Sequence, residues 1–193
     1  MSIKDYRLKT SLINVHYSSF SNFQIMKIYL IGLPGSGKTT LAKDLGVKLK
    51  LPYVDLDVEI EKAEMKTIPQ IFKDKKENYF RKIEAQLLKS LCQSDSSFVM
   101  ATGGGAPCFF DNMEQMNLSG ITVFLDVPTL EIARRIVSSK GEERPLLKSN
   151  GIDVLKDQIE FLRSQRLLFY NQARLTVRGD QIDSNTIIEK ISS

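Results

Sequence analysis

Apolar residues in this chain occur as short runs, separated by longer segments in which they recur at helical spacing. The short runs are mostly β-branched or aromatic and predict strands near residues 27–32, 52–56, 97–101, 121–126 and 174–178. Residues 67–89 predict a long helix, with apolar side chains at Ile68, Ile71, Phe72, Phe80, Ile83, Leu87 and Leu88. The alternation of strands and helices predicts an α/β fold in which helices cover both faces of a parallel sheet.

A glycine-rich segment follows the first predicted strand directly. Residues 32–40 read GLPGSGKTT, which matches the pattern GxxxxGK[ST], and a predicted helix continues from there. Glycines permit a tight turn in which successive backbone N–H groups point at an anion, next to the positive end of a helix. The sequence therefore predicts a nucleoside triphosphate site formed by Gly35, Ser36, Gly37, Lys38, Thr39 and Thr40. In this motif the lysine reaches the β- and γ-phosphates, and the Thr39 hydroxyl ligates Mg²⁺.

Composition narrows the possible partners and chemistries. A chain of 193 residues with 42% hydrophobic content predicts one domain, from residue 26 to 193. The net charge of +4 is too small and too dispersed to predict a nucleic acid partner, and no apolar run is long enough to span a membrane. Two cysteines and a single histidine, His16, support neither a disulfide framework nor a zinc site. The expected proton acceptor is therefore a carboxylate, lysine or tyrosine.

Residues 1–25 differ from the rest of the chain. They are rich in serine, carry Lys4, Arg7 and Lys9 against one acid, Asp5, and lack the apolar core of a secretory signal. An organellar transit peptide has the same composition, so that reading stays open. Since residue 26 begins a strand that suits the start of a domain, we expect residues 1–25 to be a poorly ordered extension.

Two carboxylates stand at the end of the second predicted strand. Asp55 and Asp57 are two residues apart, which places them on the same side of an extended chain. Ligands of open α/β sheets bind beyond the carboxyl ends of the strands. Asp55 is therefore a candidate for holding Mg²⁺ through its waters, and Asp57 for orienting or deprotonating an acceptor hydroxyl. The alternative is a solvated turn at a strand end.

Other segments add candidate groups for an anionic acceptor. Arg81 and Glu84 are three residues apart on a predicted helix, so they can pair and hold a guanidinium for a planar anion, although such surface pairs are common. Residues 103–105 are three glycines that would let a ligand approach the backbone, a flexible turn being the alternative. Residues 140–147, KGEERPLL, are typical of a mobile lid that brings Arg144 to the transferring phosphoryl group.

Taken in order, these segments are similar to those of the shikimate kinase family, from residue 26 to the end. The similarity rests on the GLPGSGKTT loop, the Asp-Leu-Asp strand end followed by Ile60-Glu61, residues 67–72 leading to Glu77 and FRKIE, and the pair GGG and ERPLL. It implies ATP- and Mg²⁺-dependent phosphorylation of the 3-hydroxyl of shikimate, a step toward chorismate and the aromatic amino acids. It also implies a five-stranded parallel sheet, a substrate-binding region at about 56–90, a lid at about 138–150, and a cytoplasmic monomer.

The resemblance assigns the acceptor residues. Asp57 would contact the ring hydroxyls of shikimate as the catalytic carboxylate, and Arg81 and Arg166 would clamp the carboxylate of shikimate. Glu84 would brace Arg81. The backbone of the glycine turn would seat the ring, through Gly103, Gly104 and Gly105.

On the nucleotide side the resemblance assigns roles to two arginines. The sequence also differs from the usual family pattern in three places. Arg144 would be the lid arginine, acting with Lys38 in catalysis, and Arg135 would lie against the adenine. Lys76 stands where the family usually has a glycine, and residues 167–168 are Leu-Leu in place of Ala-Pro. The lid is also slightly longer than in compact members, which bears on the assignment of Arg135.

Two other functions are compatible with a phosphate-binding loop. Another small-molecule kinase, for gluconate or a nucleoside monophosphate, is the nearest alternative. A nucleotide acceptor would need a base-reading pocket and usually several phosphate-facing arginines. A GTPase switch needs an N-K-x-D motif, which this sequence lacks.

Overall fold

The computed structural model of the protein describes residues 25–139 and 151–193. The predicted N-terminal extension, apart from residue 25, and most of the predicted lid, with Arg144, lie outside the described residues. Five strands form one sheet: β1 Lys27–Ile31, β2 Tyr53–Asp55, β3 Phe98–Ala101, β4 Ile121–Asp126 and β5 Leu175–Arg178. Their order in the sheet is β2-β3-β1-β4-β5, and every neighbouring pair is parallel, as the resemblance implies.

Helices connect the strands. They are α1 Lys38–Leu49, α2 Leu56–Glu64, α3 Ile68–Gln93, α4 Asn112–Ser119, α5 Thr129–Ser139, α6 Gly151–Tyr170 and α7 Ser184–Ser192. A short 3₁₀ turn, Ala106–Cys108, follows the glycine segment after β3. Among the described residues, none of these helices combines the length and the apolar character needed to cross a membrane.

The central strand β1 shows why both faces of the sheet are covered. Successive side chains of a strand point to opposite faces, so one apolar strand contributes to two cores. Ile28 and Leu30 pack in one buried cluster with residues of α1 and α7, whereas Tyr29 and Ile31 pack in a second cluster with residues of α2 to α6. The predicted arrangement of helices on both faces is confirmed.

The strand order brings three sequence motifs to one edge of the sheet. β2, β3 and β1 are neighbours, and all three run in the same direction. The phosphate-binding loop follows β1, Asp55 ends β2, and the three glycines follow β3. Since carboxyl ends of parallel strands share an edge, the loop, the carboxylates and the glycines lie together.

Helix α3 is bent near its first third. Its start is fixed by Thr67, whose side chain accepts a hydrogen bond from Gln70 N while the Gln70 side chain accepts one from Thr67 N. The helix is then interrupted at Lys76, which has φ 67° and ψ 171°. That backbone conformation is disfavoured for any residue with a Cβ. It gives a physical reason for the glycine that the family resemblance implies at this position.

Candidate active site

The phosphate-binding loop has the conformation that its glycines allow. Gly37, the residue before α1, has φ 96°, in the left-handed region that favours glycine. Among the described residues, no side chain caps the N-terminus of α1, so the first N–H groups of the helix have no side-chain acceptor. Free donors at a helix N-terminus form a site for a phosphate group.

Lys38 folds back over this loop. Its ammonium group donates hydrogen bonds to the carbonyl oxygens of Gly32, at 3.0 Å, and Leu33, at 2.8 Å. Burial lowers the pKa of Lys38 to about 8, an effect that the charge of Asp57 partly offsets and that of Arg166 increases. A buried cation with a depressed pKa is stabilised by an anionic partner, which is the part that a nucleotide phosphate would play.

A cleft of about 500 Å³ opens beside the loop. The loop and the start of α1 line one side of it, and Arg135, Ile136 and Ile182 line the other. Arg135 is held at the wall of the cleft by hydrogen bonds to the carbonyl oxygens of Ser36, at 3.3 Å, and Asp180. The predicted nucleotide-contacting arginine therefore lies beside the phosphate-binding loop.

Thr39 and Asp55 meet at the mouth of the same loop. The Thr39 hydroxyl donates to Asp55 Oδ2 at 3.2 Å, and the Tyr53 hydroxyl donates to the same oxygen at 2.8 Å. The other oxygen, Oδ1, accepts a hydrogen bond from Asp57 N at 3.1 Å and so caps α2. A hydroxyl and a carboxylate beside a phosphate site match the oxygen ligands and few protein contacts that Mg²⁺ requires. The residues present therefore fit the predicted metal.

Asp57 is a partly buried carboxylate among several charges. Burial raises its pKa, and the neighbouring carboxylate of Asp55 raises it further, whereas Lys38 and Arg81 oppose the rise. Gly103 lies directly against it, since a Cβ at Gly103 would be 2.9 Å from Asp57 Oδ1. Asp57 is thus close to the glycine turn and within electrostatic range of two cations.

The predicted pair of Arg81 and Glu84 is present, with Glu84 buried and Arg81 partly buried. Arg81 Nη1 donates to Glu84 Oε2 at 2.8 Å, while its Nε and Nη2 each donate to Glu77 Oε1 at 3.2 Å. The guanidinium also lies over the ring of Phe109, with Cζ 4.2 Å from the ring centroid. Two carboxylates and one aromatic face hold the guanidinium in a fixed orientation. This is the rigid cation that recognition of a planar carboxylate needs.

The glycine turn after β3 packs too closely against its neighbours to carry side chains. A Cβ at Gly104 would lie 2.8 Å from Pro34 Cδ, and one at Gly105 would lie 2.7 Å from Arg81 Nη2. Either contact is too short for real atoms, so a side chain at these positions would displace the phosphate-binding loop or the guanidinium. The turn therefore acts as a spacer between the two halves of the site rather than as a flexible connection.

Arg166 reaches the site from α6. Its charge lowers the pKa of Lys38 and of Glu84, which places it within range of both groups, and its Nη1 is buried without a hydrogen-bond partner among the described residues. One helical turn later, the Tyr170 hydroxyl donates to Gly104 O at 2.6 Å. Burial raises the pKa of Tyr170 to about 12, and the adjacent Arg166 opposes the rise. An unpaired guanidinium nitrogen is available for an anionic ligand.

Asp57, Arg81 and Arg166 therefore converge near Lys38, although they are widely separated in the sequence. Four further residues that shape the site have no role predicted from the sequence: Tyr53, Glu77, Phe109 and Tyr170. Three of them carry a local signal. Glu77 lies one helical turn before Arg81, with which it forms an i,i+4 pair. Tyr53 shares a strand face with Asp55, and Tyr170 lies one helical turn after Arg166. Phe109 has no such signal, because only the tertiary structure brings it to Arg81.

The fold and this site define a P-loop kinase acting on a small acidic acceptor. The family model for shikimate kinase matches residues 34–193. The shikimate kinase of Bacteroides fragilis is 40% identical over 165 residues, covering 86% of this chain and 91% of that protein. The chain therefore belongs to the shikimate kinase family.

Solved structures agree with this assignment. A crystal structure of shikimate kinase from Bacteroides thetaiotaomicron has a TM-score of 0.75 and 37% identity, covering 86% of this chain and 96% of that one. The Acinetobacter baumannii enzyme, solved in complex with shikimate, has a TM-score of 0.72 and 32% identity, covering 87% of this chain and 91% of that one.

Proposed function

We propose that this kinase transfers the γ-phosphoryl group of ATP to the 3-hydroxyl of shikimate, giving shikimate 3-phosphate and ADP. The observation that carries the proposal is the convergence of one carboxylate, Asp57, and two guanidinium groups, Arg81 and Arg166, beside Lys38. Shikimate is a small ring with one carboxylate and several hydroxyls. A carboxylate clamp together with a hydroxyl acceptor matches both parts of such a molecule.

On the acceptor side, Arg81 and Arg166 would bind the carboxylate of shikimate. Arg81 is already oriented by Glu84 and Glu77, so little side-chain entropy would be lost on binding. The unpaired Nη1 of Arg166 would gain a charged hydrogen-bond partner. The backbone of Gly103, Gly104 and Gly105 would form the floor of the ring site.

Asp57 would act on the hydroxyl that attacks the phosphorus. Its raised pKa makes it a better proton acceptor than a solvated carboxylate, and its position beside the glycine turn is where the ring would lie. The hydroxyl oxygen would form a bond to the γ-phosphorus and give its proton to Asp57, while the bond between that phosphorus and the bridging oxygen would break and ADP would leave with the electron pair. Positioning and charge stabilisation supply most of the acceleration in such transfers.

On the donor side, the free N–H groups of the loop and Lys38 would hold the phosphates of ATP, and Arg135 would lie against the base. Thr39 and Asp55 would hold Mg²⁺, which supplies positive charge to the phosphate oxygens when bound. Arg144 would complete the site from the lid, in a kinase domain spanning residues 26–193.

A coupled assay of ADP release tests the proposal. Shikimate should stimulate ADP release from ATP, and gluconate and nucleoside monophosphates should not. Phosphorus NMR of the product should show a monoester at the 3-position. Stimulation by gluconate or a nucleotide without stimulation by shikimate would reject the assigned acceptor. The Lys38→Ala variant serves as a control for contaminating kinases.

A further inference from the structure

Asp55 accepts three hydrogen bonds before any ligand arrives. Thr39 and Tyr53 both donate to its Oδ2, at 3.2 and 2.8 Å, and Asp57 N donates to Oδ1 at 3.1 Å. The Oδ1 bond is the cap of α2 and fixes one end of the carboxylate to the backbone. The two bonds at Oδ2 join one side chain of α1, Thr39, to two of β2, Tyr53 and Asp55.

Tyr53 is the rigid member of this network. Its ring packs beside the apolar cluster between the sheet and α1, where Gly46 lies against it: a Cβ at Gly46 would be 3.6 Å from Tyr53 Cβ. The ammonium group of Lys43 lies 5.5 Å from the ring centroid. A phenolic hydroxyl keeps its proton at neutral pH, so Tyr53 is the donor in its 2.8 Å bond to Asp55 Oδ2. A ring fixed in this way has little freedom to point its hydroxyl elsewhere.

The Thr39 hydroxyl has one proton and two lone pairs. As long as Asp55 Oδ2 accepts that proton, the lone pairs of Thr39 are directed away from Asp55 and are available to a cation. The orientation of Oδ2 therefore decides whether the threonine oxygen can serve as a ligand. Tyr53 is the second side chain that fixes Oδ2, and it does so with the shorter bond of the two.

We propose that Tyr53 is a positioning residue for the metal site, whose hydroxyl orients Asp55 so that Asp55 in turn orients Thr39 toward Mg²⁺. The inference rests on the proposed function for its metal, and it adds to that site a residue whose hydroxyl bonds to Asp55 Oδ2. The proposal predicts that the Tyr53 hydroxyl strengthens nucleotide binding when Mg²⁺ is present. Without Mg²⁺, nucleotide binding should not depend on this hydroxyl.

Calorimetric titration of ADP tests this, in saturating MgCl₂ and in EDTA. The Tyr53→Phe variant removes one hydroxyl and keeps the packed ring, so thermal unfolding should show a folded protein. In MgCl₂ the variant should bind ADP about fivefold more weakly than the wild type, the size expected for one hydrogen bond. In EDTA the two proteins should agree to within about twofold, the scatter expected when no hydrogen bond to the ligand or its metal is lost.

Tyr79→Phe is the matched control. Tyr79 also donates its hydroxyl to a carboxylate, that of Glu64, with 3.0 Å to each oxygen, but this pair joins α2 to α3. ADP affinity of this variant should match the wild type in both buffers. In an Asp55→Ala background, Tyr53→Phe should cause no further loss in MgCl₂, because the group that Tyr53 orients is gone.

The inference would be overturned if Tyr53→Phe weakened ADP binding equally in both buffers, or in neither. In that case metal-dependent ADP binding and shikimate phosphorylation by the wild type would still support the proposed function. A wild-type protein whose ADP affinity is the same in both buffers would reject the metal site itself, and the role of Tyr53 with it.

Discussion

The hydroxyl of Tyr170 donates a hydrogen bond of 2.6 Å to the carbonyl oxygen of Gly104, a residue 66 positions earlier in the chain. This bond joins the end of α6 to the glycine turn after β3. Because Arg166 lies one helical turn before Tyr170 and Arg81 lies against Gly105, the bond fixes the distance between the two proposed clamp arginines.

Removal of that hydroxyl should loosen the clamp. In Tyr170→Phe, we expect the KM for shikimate to rise about threefold to tenfold, since one buried hydrogen bond is lost and Gly104 O is left unpaired. The KM for ATP should stay unchanged. Steady-state kinetics with each substrate varied in turn makes the comparison. Equal increases in both KM values would indicate a general loss of structure instead.

Asp57→Asn should separate activity from stability. Turnover should fall about a hundredfold or more, because the group that accepts or orients the acceptor proton is lost. ATP affinity should stay nearly the same.

Since burial raises the pKa of Asp57, its ionised form is unfavourable in the folded protein, and the variant should unfold at a higher temperature than the wild type at pH 7.

The pH dependence of that stability difference has a definite sign. A carboxyl group with a raised folded-state pKa contributes stability at low pH and loses it as the pH rises through that pKa. The stability gained by Asp57→Asn over the wild type should therefore become smaller as the pH falls below the pKa of Asp57. A variant that is less stable than the wild type at neutral pH would contradict the assignment of a strained, partly buried charge.

Arg81→Ala should weaken acceptor binding selectively. The KM for shikimate should rise about thirtyfold or more, the size expected when charge-assisted hydrogen bonds to a carboxylate are lost. The KM for ATP should change little. Arg174→Ala is the control, because Arg174 bonds Asn117 O just before β5, at the opposite edge of the sheet. Similar effects of Arg81→Ala on both KM values would exclude Arg81 as a clamp for the acceptor.

Nucleotide affinity should decrease in alkaline solution. Burial lowers the pKa of Lys38 to about 8, so the free protein loses this charge above that pH and nucleotide binding must restore it. The Kd for ADP should increase by up to about tenfold per pH unit above the pKa. In Lys38→Arg, which stays protonated, binding should be weaker at neutral pH but independent of pH over the same range. A flat wild-type profile would contradict the role of Lys38.

The bend in α3 offers a stability test away from the chemistry. Lys76 has φ 67° and ψ 171°, a conformation that favours glycine, so Lys76→Gly should stabilise the protein by about 1 kcal/mol. In Lys73→Gly, at a regular helical position of α3, stability should fall by about 1 kcal/mol. Denaturant unfolding measures both. Destabilisation by both substitutions would show that the backbone at Lys76 is unstrained.

Local patterns in the sequence were sufficient to predict the strands of the fold. Each predicted strand agrees with the structure to within one residue at either end. The phosphate-binding loop, its lysine and the carboxylate pair were also identifiable, because each is a contiguous pattern with a direct steric or electrostatic meaning. Arg166 carried only a weak signal, a basic residue on a predicted helix, and it was assigned by resemblance to the family.

What the sequence determined by itself is therefore the set of parts: alternating strands and helices, a loop that binds phosphate, and carboxylates at a strand end. Only the tertiary structure decided that Asp57, Arg81 and Arg166 face one region, that Phe109 covers Arg81, and that Tyr170 bonds to Gly104. The physical reason is the range of the interactions. Periodicity and turn chemistry act over a few neighbouring residues, whereas the strand order β2-β3-β1-β4-β5 and the packing of α3 and α6 bring distant residues into contact.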